Sequence, residues 1–150
     1  MPYCRGVADV LLACDDAELV DDVAAGVVRP GTTLRTVRHG VDVVDACLDA
    51  MPDLVILDLQ IGNMGGMAVC MSLRLEAGAG RLDDVPILML LDRRPDVFLA
   101  RRCGADGWLI KPLDTIRLRN SVKALLAGGT YHDRTGEPPK RAPEADAAVG

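Results

Sequence analysis

Leu54-Val55-Ile56-Leu57-Asp58 is the stretch that decides the fold: an apolar run that stops at a carboxylate. An unbroken run this short fits a strand buried on both faces, as in a parallel sheet covered by helices. Length alone would also admit a buried helix. Pro52 before the run and Gly62, Gly65 and Gly66 after it favour a strand. A charge at the end of such a strand is unfavourable unless it is solvated, paired or bound to a cation. Ligand sites in open α/β sheets lie at the carboxyl ends of the strands, so Asp58 is the first candidate for chemistry.

Outward from this run, the chain alternates. Val10 to Cys14 reads as a second buried strand and also ends on acid, Asp15-Asp16. Leu19, Val20, Val23, Ala24 and Val27 then recur at helical spacing, and Pro30-Gly31 mark a turn. Thr32 to Val37 is rich in β-formers, and Val44, Cys47, Leu48 and Met51 form the stripe of a second helix. Beyond the central strand, Met67, Cys70, Met71 and Arg74 predict a third helix, broken by Gly78 and Gly80. Val85 to Leu91 is the most apolar run, with Pro86 at its start because proline cannot donate inside a central strand. Val97 to Cys103 predicts a short helix, Trp108-Leu109-Ile110 a fifth strand, and Ile116 to Leu126 a last amphipathic helix stopped by Gly128-Gly129. Five βα units of this size imply parallel strands, right-handed crossovers and helices on both faces, a doubly wound three-layer α/β/α domain over residues 7–128. From about Thr130 the periodicity disappears among prolines, charges and alanines, so residues 129–150 are expected to be a disordered tail.

Composition narrows the function classes. The 150 residues suit one domain, and with aromatics at 3% the core must be aliphatic. A net charge of -5 disfavours nucleic acid as a direct partner, because phosphate contacts need clustered Lys and Arg. Cys4, Cys14, Cys47, Cys70 and Cys103 are scattered without a CxxC pair, which reads as reduced thiols in a cytoplasmic protein. The first residues lack the apolar core of a signal peptide, and no run has the length of a membrane helix, so no membrane association is expected.

Parallel strands bring three charged ends to one edge: Asp15-Asp16, Asp58 and Lys111. Clustered carboxylates repel unless a cation joins them. Mg²⁺ fits, being hard, oxygen-seeking and satisfied by one or two carboxylates plus waters and phosphate. A carboxylate beside Mg²⁺ is a nucleophile toward a phosphoryl group, and a lysine would neutralise charge on the transferring oxygens. Plainer readings stand beside these. Asp15-Asp16 could cap the first helix. Asp58 and Lys111 could be a structural ion pair, and Trp108 a partly buried packing residue. Arg101, Arg102, Arg117, Arg119 and Lys123 read as a solvated basic face, and His39 and His132 receive no role.

From about Ala8 to Ala127 the sequence resembles the receiver domains of two-component response regulators, the CheY-like superfamily. The resemblance rests on an ordered set: Asp15-Asp16, Asp53-Leu-Val-Ile-Leu-Asp58, Gly65-Gly66, Val85-Pro86-Ile-Leu-Met, Gly104-Ala-Asp-Gly-Trp108 and Lys111-Pro112. It implies a flavodoxin-like fold with strand order 2-1-3-4-5. It further implies Asp58 as phosphoacceptor, Asp15, Asp16, Asp58 and the Gln60 backbone carbonyl as Mg²⁺ ligands, and Lys111 as the phosphate-contacting lysine before a cis proline. Trp108 falls where the family carries its switch aromatic. One departure stands out. The family usually has Thr or Ser, then a small residue, where this chain has Leu91 and Asp92. Leucine cannot donate to a phosphoryl oxygen, and Asp92 adds negative charge beside it.

The expected function is therefore a stand-alone receiver, not an enzyme beyond autocatalytic acceptance and hydrolysis of the phosphoryl group. A sensor histidine kinase or phosphotransfer protein would load it. A downstream protein would read the face made by the fourth helix, fifth strand and fifth helix, and a homodimer is a further expected partner state. The competing reading is a receiver-like interaction module that does not switch through phosphorylation. A small phosphotransferase is the weakest, since no general base or Gly-rich phosphate loop is found.

Overall fold

The apolar run does form a strand, β3 (Leu54–Asp58), and all of its residues are buried, the terminal aspartate included. The computed structural model describes residues 7–135. In chain order the other elements are β1 (Ala8–Ala13), α1 (Ala17–Val27), β2 (Thr32–Val37), α2 (Val43–Asp49), α3 (Gly66–Gly78), β4 (Ile87–Leu91), α4 (Val97–Arg102), β5 (Gly107–Ile110), α5 (Thr115–Leu126) and β6 (Tyr131–His132). Single 3₁₀ turns, Gly40–Asp42 and Arg94–Asp96, precede α2 and α4. The strands form one sheet in the order β2-β1-β3-β4-β5-β6 with every pair parallel. This is the expected flavodoxin-like α/β order, 2-1-3-4-5, with one strand added.

Period-two alternation sorts the strand residues into two cores. Leu11, Val55, Leu57, Ile87, Met89 and Trp108 face α2, α3 and α4 through Val43, Cys47, Val69, Cys70, Leu73 and Ala100. Val10, Leu12, Leu54, Ile56, Leu88 and Leu109 face α1 and α5 through Leu19, Val23, Leu118, Val122 and Leu125. Each such aliphatic side chain contributes about 1.5–3 kcal/mol when buried, so the sheet is held from both sides. The helices begin where the sequence supplies a cap: Asp16 accepts from the Glu18 N–H at α1, and Asp114 from the Arg117 N–H at α5. The cysteines at 14, 47, 70 and 103 are free and buried, as their scatter suggested.

Residues 129–135 do not match the expected disordered tail. Tyr131–His132 adds a strand to the β5 edge, and Asp133 is 3% exposed. Its carboxylate accepts from the Ile110 N–H at 2.8 Å, from the N–H and hydroxyl of Thr135, and from Arg117. Those hydrogen bonds and the arginine outweigh the effect of burial and hold its pKa below the ordinary value. Two residues are too few to show a strand period, and the polar anchor leaves no apolar signal. Residues 136–150 of the expected tail lie outside the described residues.

Gly66, at the start of α3, packs directly against the end of β3. A β-carbon there would stand 2.6 Å from the Asp58 carbonyl oxygen and 2.8 Å from the Leu59 α-carbon. Gly66→Ala is expected to destabilise the domain by about 1–3 kcal/mol, as overpacking does, and to shift the Asp58 backbone. Urea unfolding with NMR of the Asp58 amide checks both. An unchanged midpoint would mean the turn yields freely.

Candidate functional site

β1, β3, β4 and β5 lie consecutively in the sheet and run in the same direction, so their carboxyl ends share one edge. The register sets Ala13 beside Leu57, Asp58 beside Leu90, and Leu91 beside Ile110. Chain direction alone therefore brings Cys14, Asp15, Asp58, Asp92 and Lys111 to one place.

Asp58 is the centre. Its side chain is 4% exposed, and Oδ1 accepts from Lys111 Nζ at 2.8 Å and from the Gln60 N–H at 3.2 Å. Oδ2 is approached by the buried thiol of Cys14 at 3.6 Å, a long and weak donor. Burial pushes that thiol up to about 11, so it keeps its proton at neutral pH. Lys111 is shared: its Nζ also lies 3.0 Å from Asp92 Oδ1. Burial alone would lower the lysine, but its bonds to Asp58 and Asp92 win and hold it above its ordinary range. It is thus a fixed ammonium between two carboxylates. The Lys111-Pro112 peptide is cis, as the resemblance implied.

The acidic pair stands closer to its plain reading than to a ready cage. Asp16 caps α1, and Asp15 Oδ2 accepts from the Gly62 N–H at 3.0 Å, tying the β1 end to the loop after β3. Among the described residues, no three His, Cys, Asp or Glu side chains converge as a metal site. The donor chemistry still suits Mg²⁺, which needs one or two carboxylates and keeps its waters. Each acid has a second oxygen beyond the bond just given.

Leu91 sits at 0% exposure within the apolar cluster that contains Val97 and Ile110, so it is a core residue by packing. Trp108 is buried more fully than expected, at 2%. It is stacked on His132 with centroids 4.3 Å apart and planes 6° apart, and the Arg101 guanidinium lies 5.3 Å from its ring. The expected basic face does not act as one surface, since Arg117 is drawn to Asp114 and Asp133. Sequence reasoning gave no role to Cys14, His132 or Asp133. Only Cys14 carried a signal, by standing directly before the acidic pair.

Chemically, this is a desolvated carboxylate with a lysine on one oxygen and a second acid at the strand edge beside it. Such a group is placed to attack an electrophile whose charge the lysine can absorb.

Comparison with known proteins bears on the family and the fold. Residues 10–123 match the family model of the response regulator receiver domain. The chain is 33% identical over 119 residues to the DNA-binding response regulator MtrA of Mycobacterium tuberculosis, covering 78% of this chain and 50% of MtrA. It is 31% identical over 119 residues to the DNA-binding dual master transcriptional regulator RpaA of Synechocystis, covering 78% of this chain and 48% of RpaA. The chain thus spans about half the length of these curated relatives. Among solved structures, it is similar to the receiver domain of a signal transduction histidine kinase from Syntrophus aciditrophicus, with TM-score 0.71 and 25% identity, covering 91% of this chain and 98% of that one. It shares its fold with the chemotaxis response regulator CheY4 of Vibrio cholerae, with TM-score 0.70 and 23% identity, covering 79% and 98%. Among the described residues, no helix is long and apolar enough to cross a membrane.

Proposed function

The chain belongs to the response regulator receiver domain family of two-component signalling, and on that basis we propose that Asp58 accepts a phosphoryl group in a Mg²⁺-dependent reaction. The observation that carries this is the 2.8 Å contact between buried Asp58 and Lys111 at the carboxyl edge of the sheet. Asp58 Oδ2 attacks phosphorus as the bond from phosphorus to the donor breaks, releasing the imidazole nitrogen of a phosphohistidine or the acetate oxygen of acetyl phosphate and giving an aspartyl-phosphate. Lys111 stays on the developing charge, and the protonated Cys14 thiol gives the ionised carboxylate only a long, weak hydrogen bond. Mg²⁺ would be held by Asp58, by Asp15 or Asp16, and by the Gln60 carbonyl, and when bound it would neutralise the phosphoryl oxygens. The donor is a histidine kinase or a phosphotransfer protein. Catalysis stops at acceptance and hydrolysis. The output is a protein contact on the face of α4, β5 and α5, where Phe98 and Ile116 are exposed, and a second copy is one candidate there. With a net charge of -5, direct DNA contact by this segment forms no part of the proposal.

A specific observation favours a second reading, in which the receiver fold serves as an interaction module that phosphate does not switch. Asp92 already occupies Lys111, and Leu91 is sealed in the core.

The test is intact-mass spectrometry after incubation with acetyl phosphate. One phosphoryl adduct is expected with Mg²⁺ and none with EDTA, and Asp15→Asn with Asp16→Asn should reduce it strongly. No adduct under conditions that label another receiver would move the assignment to the interaction module. An adduct insensitive to EDTA would remove the metal from it.

A further inference from the structure

The feature that neither the family match nor the acceptor site uses is the segment Tyr131–Thr135. It lies along β5 through a ladder of only two residues, Gly107 to Tyr131 and Trp108 to His132. Its backbone gives Tyr131 N–H to the Asp106 carbonyl and Asp133 N–H to the Trp108 carbonyl. Charged groups hold it as well: buried Asp133 meets Arg117, and Arg94 donates to the Asp133 carbonyl at 2.6 Å. His132, exposed itself, stacks on Trp108 with Arg101 over the indole. Of the segment's side chains, Tyr131 is partly buried against the cluster of α1 and α5. The fit is incomplete, because Trp108 Nε1 is buried without a hydrogen-bond partner among the described residues. An unsatisfied buried donor weakens whatever covers it, and a ligand offering an acceptor there would bind better.

We propose that the β5 edge, from Gly107 to Ile110 with Trp108, Arg94 and Arg117, is a docking strip for an extended acidic segment, held in this structure by the chain's own Tyr131–Thr135 as a displaceable occupant. The recognition elements are on the page. Edge N–H and C=O groups take an extended backbone, as in strand addition. The indole takes a ring, and the Ile110 N–H with Arg117 takes a carboxylate one residue later. The strip does not depend on the phosphorylation reading, and its test uses none.

Trp108 is the sole tryptophan, so its emission reports on the strip alone. In the full chain, acrylamide should quench wild-type Trp108 poorly and the Asp133→Ala variant several-fold more. A free peptide with the sequence of residues 130–136 should restore protection to that variant. The same peptide with alanine in place of its aspartate should not. Far-UV circular dichroism checks that the variant is folded. Should it fail to fold, hydrogen exchange on the wild type decides: the Ile110 amide should exchange by local opening, much faster than the Met89 amide of β4. Equal quenching of folded wild type and Asp133→Ala, no effect of the peptide, or exchange of Ile110 only with global unfolding would each show that the segment is a fixed part of the fold and overturn the proposal.

Discussion

Lys111→Ala is expected to slow phosphoryl acceptance from acetyl phosphate by about 10²–10³-fold, the usual loss when a positioned donor to a developing anion is removed. Two effects combine. The transferring phosphoryl oxygens lose the ammonium that lies 2.8 Å from Asp58. In addition, Asp58 and Asp92 lose the cation that both of them contact, since Lys111 Nζ also lies 3.0 Å from Asp92. Without that cation the two carboxylates repel, and Asp58 loses the contact that orients it. Lys111→Arg keeps the charge but not the compact ammonium, so it should fall between Lys111→Ala and the wild type. Initial rates from intact mass measure this. A Lys111→Ala rate within a few-fold of wild type would mean the lysine is only a structural partner of the two acids.

The second large effect is expected at Leu91 and Asp92. A response to phosphate requires a contact that differs between the two states, and the family's usual hydroxyl at this position supplies one charge-assisted bond, worth roughly 1.5–3 kcal/mol. Leu91 has no donor and packs in the core. Asp92 adds a charge that repels a phosphoryl group while competing for Lys111. Beryllofluoride with Mg²⁺, standing in for the phosphoryl group on Asp58, should accordingly shift the Trp108 indole N–H very little in the wild type. Leu91→Thr combined with Asp92→Ala should enlarge the shift. The threonine also removes buried aliphatic volume, so this variant should unfold at lower denaturant. A large wild-type shift, equal to that of the double variant, would mean the switch runs by another route, with the Arg94 contact to Asp133 as the first place to look.

Most of the fold was legible because each layer announces itself in a period. β3 and β4 are buried on both faces and read as unbroken apolar runs, and α1 and α5 show their stripes and caps. The gathering of Asp58, Asp15 and Lys111 was legible for a topological reason: parallel strands carry their charged ends to a common edge. Two things were not legible. Spacing cannot report which partner a side chain chooses, so the sharing of Lys111 between Asp58 and Asp92 needed coordinates. Nor can local periodicity report a strand of two residues held by a buried ion pair, which is why Tyr131–Thr135 read as part of a tail. His132 looked like a lone loop histidine for the same reason, since its partner Trp108 lies on another element.

The central claim is that Asp58, rather than any other acid at the strand edge, carries the phosphoryl group. Acyl phosphates are reduced by borohydride to the corresponding alcohol, which marks the acceptor aspartate permanently as homoserine. The decisive measurement is therefore peptide mass spectrometry of the wild-type chain after acetyl phosphate, Mg²⁺ and borohydride, with Asp58→Asn treated in parallel. Homoserine at position 58 in the wild type, and no conversion at any position in Asp58→Asn, is the predicted result. Conversion at Asp15, Asp16 or Asp92, or conversion that survives in Asp58→Asn, would contradict it.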